Sequence, residues 1–369
     1  GGKVYIHGGT ILATGGQNGA GIGGGNNTNA GTTNITGGTI TAKGGTKSAG
    51  IGGGTGQAYG TQTGSGGTIS ISGGTVTANG SDDGAGIGGG NLGRGGFISI
   101  SGGTVTATSG DVVTSSGPAG IGGGSERQAD SILITGGTII ARALDGGAGI
   151  GSGSYDRIGS SIEISGGEIT ASSRYRGAGI GGGMFSDGGW IVIKGGIVRA
   201  TSEYGGAGIG GGSLGAGGNI TIDGGDVTAK GGSWGAGIGS AGDRNGGNIT
   251  ITGGNVKAYA GDYSNPTMYT GSAGIGAGGK NSPGTHNGGV IRILGGKVTA
   301  AGAYYSLDIG RGRGGVDGTV EIANDAVVIL AKKGIEPSTV SFGDCLLRGP
   351  AAGTFAGLCE NGIRLDATL

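Results

Sequence analysis

The sequence predicts an all-β fold: a right-handed, single-stranded parallel β-helix of about ten coils, with three short strands per coil. Three observations lead there. First, the phrase Gly-Ala-Gly-Ile-Gly, or a near copy, returns around Ile22, Ile51, Ile87, Ile121, Ile150, Ile180, Ile209, Ile238 and Ile275, with a degraded tenth copy at Ile309. Second, successive copies lie 29, 36, 34, 29, 30, 29, 29, 37 and 34 residues apart, a unit of 29–30 residues with insertions. Such a period marks a solenoid, in which each unit buries its apolar side against its neighbours. Third, each unit holds short runs of period-two alternation split by glycine pairs, the pattern of short strands and tight turns.

The unit from Gly66 to Gly90 shows the elements in order. Ile69-Ser-Ile71-Ser alternates, Gly73-Gly74 turns the chain, and Thr75-Val76-Thr77-Ala78 alternates again. A polar loop follows, then Ala85-Gly-Ile87-Gly forms a third short segment before Gly88 to Gly90 turn the chain into the next unit. Ile69, Ile71, Val76, Ala85 and Ile87 are the expected inward positions, repeated as Ile98, Ile100 and Val105 and again as Ile220, Ile222 and Val227. Stacked coils then give continuous aliphatic ladders. The helix is expected over residues 1–318, with 319–369 as a last partial coil and a C-terminal cap: glycine thins out there, and Val327, Leu330, Phe342, Leu346, Leu347, Phe355 and Leu358 supply apolar cover.

Composition narrows the functional classes. Gly makes up 107 of 369 residues, but without a three-residue period and with only 5 Pro, which excludes collagen. Lys plus Arg and Asp plus Glu balance at 23 each, so nothing steers the chain toward a nucleic-acid backbone. The chain has no apolar run long enough for a membrane-spanning helix, and no membrane insertion is expected. Its first residues lack the charged and apolar regions of a signal peptide, and the repeat is already under way at Val4 and Ile6. The expectation is a monomeric segment of a larger multidomain protein. Low charge, abundant Thr, Ser and Asn and a stiff repeat suggest a secreted or cell-surface location. Cys345 and Cys359 suit either a disulfide or two free thiols.

The glycine strings resemble nucleotide-binding fingerprints only superficially, because none opens a long amphipathic helix and none carries Gly-Lys-Ser/Thr. The two histidines, His7 and His286, stand at opposite ends and no Cys/His cluster exists, so neither a metal nor a cofactor is expected. On the solvent face of the second strand, Thr10, Thr39, Thr75, Thr104 and Thr138 stack into an array that Glu168, Arg199, Asp226 and Lys257 then interrupt. Threonine is a common exposed strand residue, and that explanation suffices.

Function is sought where the repeat changes. The loop before each Ala-Gly-Ile is small and polar at Gln17-Asn18, Thr46-Lys47 and Asp82-Asp83. Later it becomes Leu144-Asp145, Arg174-Tyr175-Arg176, Glu203-Tyr204, Ser233-Trp234, Tyr263 to Tyr269, and Tyr304-Tyr305. Coil stacking places these residues in one file at about 4.8 Å per coil. Insertions at Asp111–Gly117 and Asp262–Gly271 are expected to wall a trough roughly 20 Å long. Aromatic rings with convergent polar groups suit a concave ligand site. The candidate ligand-binding residues are Arg174, Tyr175, Arg176, Tyr204, Trp234, Tyr263, Tyr269, Tyr304 and Tyr305. If the chain is an enzyme, Asp145, Glu203 and Asp262 are the candidate carboxyls, since glycoside hydrolysis needs two of them about 5 to 9 Å apart. A second group lies on another edge: Tyr155, Asp156-Arg157, Phe185, Asp187 and Asp243-Arg244. Asp308 occupies a slot otherwise held by glycine, as a site residue or as a relaxation of the final coil.

The phrases Ser-Gly-Gly-Thr-Val-Thr-Ala and Gly-Ala-Gly-Ile-Gly-Gly-Gly resemble those of Gly-rich, pectin-lyase-like parallel β-helix regions in surface proteins of anaerobic Gram-positive bacteria. The resemblance covers residues 1 to about 325. It implies the right-handed helix and an association with carbohydrate-binding or carbohydrate-degrading modules, and it carries no catalytic motif onto particular positions. The leading expectation is an extracellular β-helix that binds an oligosaccharide, polysaccharide or glycoconjugate in the trough. The alternatives are a glycoside hydrolase acting in the same trough and a structural or adhesive stalk.

Overall fold

A computed structural model describes residues 2–57, 63–111, 117–261, 271–279, 286–303, 306–323, 325–330, 340–342 and 346–348. The chain winds as a right-handed parallel β-helix whose strands, among the described residues, fall into three parallel sheets of 12, 12 and 10 strands. One coil consists of Thr68–Ile71 in the first sheet, Thr75–Asn79 in the second and Ile87–Gly88 in the third. Every strand but the first and last of each sheet pairs with its equivalents one coil before and one coil after. Ile98 thus lies between Ile69 and Ile132, Val105 between Val76 and Ile139, and Ile121 between Ile87 and Ile150. Thr319–Ile322 and Val327–Leu330 continue the first two sheets, as do Val340–Phe342 and Leu346–Arg348 after them. Cys345, Cys359, Phe355 and Leu358 lie outside the described residues.

Alternation decides which side chains enter the core. Ile69, Ile71, Val76 and Ile87 are buried as their spacing requires, and Ala78 joins them as a further inward residue of the second strand. Among the described residues the core cluster holds only Ile, Val, Ala and one Leu. Each fully buried Ile contributes about 1.5–3 kcal/mol by leaving water, and the ladder repeats that gain at every coil. The outward column Thr39, Thr75, Thr104 and Thr138 runs in register into Glu168 and Ile197. There Glu168 accepts an ion pair from Arg199 at 2.8 Å.

The glycine after each Ile of the third sheet is required by two constraints at once. From Gly23 to Gly310 this residue has φ between 120° and 139° in all ten strands, a region that residues with a Cβ rarely adopt. A Cβ on Gly88 would also overlap the carbonyl of Gly122 in the next coil, and one on Gly122 the carbonyl of Gly151. The glycine before the Ile faces the same crowding: a Cβ on Gly86 would press against the backbone of Thr108 and Gly120.

Asp308 shows what happens when that crowding ends. It takes the place of this preceding glycine beside Ile309, whose strand closes the third sheet. Its fully buried carboxylate accepts the Gly302 N–H at 2.7 Å. One coil earlier the equivalent amide, that of Ala260, donates to the Ala301 carbonyl of the following coil. Asp308 therefore caps the end of the ladder by supplying an acceptor that another coil provides elsewhere.

Gly122→Ala is expected to destabilise the helix by about 3 kcal/mol or more, from backbone strain plus steric overlap. The exposed change Thr104→Ala should cost less than about 1 kcal/mol. Urea unfolding followed by circular dichroism reads both, and equal midpoints would contradict this account of the glycine column.

Candidate functional site

The third strand is two residues long, so the loops on either side of it lie close together. They are zipped across coils by backbone hydrogen bonds. Ser125 N donates to Asp83 O at 3.1 Å, Ser154 N to Gly117 O at 3.0 Å, Met184 N to Gly146 O at 2.7 Å and Ser213 N to Arg176 O at 2.7 Å. Both loop files consequently form one edge of the helix. The loop before the third strand contributes one set of side chains, and the loop after it contributes another.

In the first file, second strands lengthened to six residues set the register: Thr138–Ala143, Glu168–Ser173 and Ile197–Ser202. Their buried last residues turn the chain outward. Ser173 Oγ accepts Gly177 N–H at 3.1 Å and donates to Gly147 O at 2.8 Å, and Ser202 Oγ accepts Gly206 N–H at 2.9 Å. Tyr175 and Tyr204 are thereby stacked at 5.2 Å between centroids with planes 6° apart, and Trp234 meets Tyr204 at 5.3 Å and 71°. The expected contiguity holds over these three coils. The rings are also engaged with the protein itself: the Arg176 guanidinium lies 4.9 Å from the Tyr175 centroid and donates to Met184 Sδ at 3.7 Å. Arg174 pairs with Asp111 at 3.0 Å. Asp262, Tyr263, Tyr269, Tyr304 and Tyr305 lie outside the described residues, as do most of the two segments expected to wall the trough.

The candidate carboxyls differ in setting. Glu203 is exposed, while Asp145 is buried. Burial, reinforced by the nearby Asp111 carboxylate, pushes Asp145 above its ordinary value; the Gly146 amide and Arg174 and Arg176 oppose this. Its Oδ2 has no hydrogen-bond partner among the described residues.

In the second file, residues with left-handed backbone aim their side chains away from the helix: Tyr155, Phe185 and Leu214 have φ of 63°, 61° and 62°. Tyr155 and Phe185 stack at 4.9 Å with planes 28° apart. They line a groove of about 670 Å³ together with Arg157, Asp187, Leu214, Ala216, Asp243, Arg244 and Asn245. Asp187 Oδ1 accepts Ala216 N–H at 2.8 Å, and Arg244 Nε donates to Leu214 O at 2.9 Å. A shallower depression of about 510 Å³ continues from Asn245 past Asn248 and Asn287 to Asp317. The sequence had marked the charged and aromatic residues here as a group. It did not show that they enclose a groove, nor that Leu214 and Asn245 belong to it; the signal was the constant 29–30-residue spacing of these positions.

Asp156 turns away from this groove. Its Oδ2 accepts Gly159 N–H at 2.9 Å, closing a local turn, and the Arg94 and Arg127 charges favour its ionised form. Burial raises it to about 6 despite those partners. His286 is buried beside Gly315, and neither ring nitrogen has a hydrogen-bond partner among the described residues. Burial holds its pKa below 6.5, opposed by Asp243.

A family model described as "Beta helix repeat" matches nine segments: residues 4–26, 34–55, 69–91, 98–125, 132–154, 162–184, 191–213, 220–243 and 249–279. Neither curated proteins nor solved structures give a match to the chain. Among the described residues no helix is long and apolar enough to cross a membrane.

Of the three shifted groups, His286 and Asp156 act oppositely on stability. Unfolded His286 takes up a proton near pH 6.5 and the fold resists it, so His286 removes stability as pH falls below about 6.5. Folded Asp156 holds its proton up to about pH 6 and the unfolded chain releases it near 3.8, so its contribution is present at low pH and is lost as pH rises toward 6. Asp156→Asn should therefore steepen the fall in melting temperature between pH 6.5 and pH 4 relative to wild type. A shallower fall would contradict the assignment.

Proposed function

The chain belongs to the beta helix repeat family, and from that premise we propose that it is an extracellular carbohydrate-binding module that engages a glycan along its zipped loop edge. The observation that carries this reading is the surfacing of aromatic side chains from both loop files on one edge, beside charged groups and a groove. Tyr204 and Trp234 stand on one side of the zipper, Tyr155 and Phe185 on the other. Aromatic rings pack against the C–H faces of sugars, and Arg, Asp and Asn exchange hydrogen bonds with their hydroxyls. Trp234, turned 71° out of the Tyr175–Tyr204 stack, extends the surface for a chain longer than the groove. The balanced charge of the whole chain adds no long-range pull toward a polyanion.

A glycoside hydrolase is the second reading, favoured by one observation. Asp145 has the raised pKa of a general acid, and Glu203 stands on an equivalent loop two coils away. Against it, Asp145 is buried, with 6% of its surface exposed, which leaves little room for a glycosidic oxygen to reach it.

Polysaccharide retention in affinity gels, run with a search for released products, distinguishes these readings. Wild type should be retained by at least one polysaccharide and release nothing. Trp234→Ala should weaken retention about tenfold, the scale of one lost ring contact, and Glu203→Gln should leave it unchanged. Products that vanish in Glu203→Gln would establish the hydrolase, and a wild type retained by no glycan would leave a structural stalk.

A further inference from the structure

The groove beyond the zipper has a construction that the aromatic file lacks. Two columns of side chains run along it, one from each of two register positions in the loop after the third strand. The first column is Tyr155, Phe185, Leu214 and Asp243; the second is Arg157, Asp187, Ala216 and Asn245. Each column repeats at 30, 29 and 29 residues, one member per coil. The first is apolar over three coils. The second is a donor, an acceptor, a small gap and an amide. A groove with one apolar wall and one hydrogen-bonding wall matches a sugar ring, whose faces are hydrocarbon and whose rim is hydroxyl.

We propose that this groove is a binding subsite for a neutral oligosaccharide of about three pyranose units lying parallel to the helix axis, a proposal that rests on the glycan-binding reading above. Length and charge select this ligand. Four coils span three spacings of about 4.8 Å, about 14 Å in all, and one spacing is comparable to the length of one pyranose ring with its linkage. Successive rings can thus meet equivalent side-chain positions. The lining carries two cations, Arg157 and Arg244, and two carboxylates, Asp187 and Asp243, distributed along the groove. A run of uronates would bring carboxylates against Asp187 and Asp243, and a run of amino sugars would bring cations against the two arginines. Hydroxyls suit both signs, because each both donates and accepts.

Two groups are poised for this. Asp187 spends Oδ1 on the Ala216 amide, which orients the carboxylate and leaves Oδ2 for a hydroxyl. Arg244 is fixed through Nε on the Leu214 carbonyl, so its guanidinium plane is set without closing the groove. Ala216, between Asp187 and Asn245, is the small side chain that gives the groove its depth at the third coil.

Calorimetric titration of the folded chain tests this, with cellotriose, maltotriose and mannotriose as neutral probes beside trigalacturonate and chitosan trimer. At least one neutral trisaccharide should bind, more tightly than either charged trimer. Arg157→Ala should weaken that binding about tenfold, as expected for one hydrogen bond to a charged group. Ala216→Trp, which fills the groove, should abolish it, and Thr104→Ala, on the solvent face of the second sheet, should leave it unchanged. Unaltered circular dichroism spectra establish that the variants fold, and Arg157, being exposed, is the variant least able to disturb the coil. Preference for a charged trimer overturns the proposal. So does trisaccharide binding that is lost in Trp234→Ala but survives Ala216→Trp, an outcome that leaves the wider glycan reading standing. Polysaccharide retention without any trisaccharide binding also overturns only the groove proposal, whereas failure of every glycan to bind overturns both.

Discussion

The close approach of backbone to backbone along the third sheet governs the whole molecule. At Gly88, Gly122 and Gly151 the chain turns with φ of 132°, 139° and 139°, and each coil's carbonyl occupies the place where the preceding coil's Cβ would stand. Only glycine satisfies both conditions. Since this happens ten times in register, the Ile beside each glycine is forced inward and the aliphatic ladder follows. A core of Ile, Val and Ala is what so narrow an interior accepts. The described aromatic residues accordingly stay out of the core, in the loops or, as at Tyr5, Phe97 and Trp190, on the solvent side of strands.

The same crowding shapes the functional edge. A two-residue strand leaves little distance between the loops on its two sides, so inter-coil hydrogen bonds zip them into one ridge. Small or short loop residues such as Asp145 and Ser154 stay buried in the ridge, and the larger rings are turned outward. Left-handed backbone at Tyr155, Phe185 and Leu214 and the lengthened second strands before Arg174 and Glu203 aim them there. A rigid scaffold presenting variable loop residues at a constant spacing suits a polymeric ligand with a repeat of its own.

Much of the architecture was legible in the sequence because it follows from periodicity. The Ile22-to-Ile309 phrase gave the coil, and alternation gave the inward residues, with Ala78 and its equivalents added by the structure. The Tyr175–Tyr204–Trp234 file was legible for the same reason: equal loop positions must stack. What alternation cannot convey is where a loop side chain points. Asp145 and Glu203 read as equivalent carboxyls, yet one is buried and the other exposed. Asp156 and Asp187 read as members of one acidic group, yet Asp156 closes its own turn while Asp187 lines the groove. Asp308 looked anomalous until the end of the third sheet supplied the reason: among the described residues no third strand lies beyond it to crowd a Cβ.

A crystal structure of the chain grown with the best-binding neutral trisaccharide tests the central claim most directly, since that claim concerns place and direction. The account predicts sugar rings between the Tyr155–Phe185–Leu214 wall and the Arg157–Asp187–Asn245 wall, with the glycan axis parallel to the helix. Density across the coils, on the Tyr175–Tyr204 side of the zipper, or on a sheet face would contradict it.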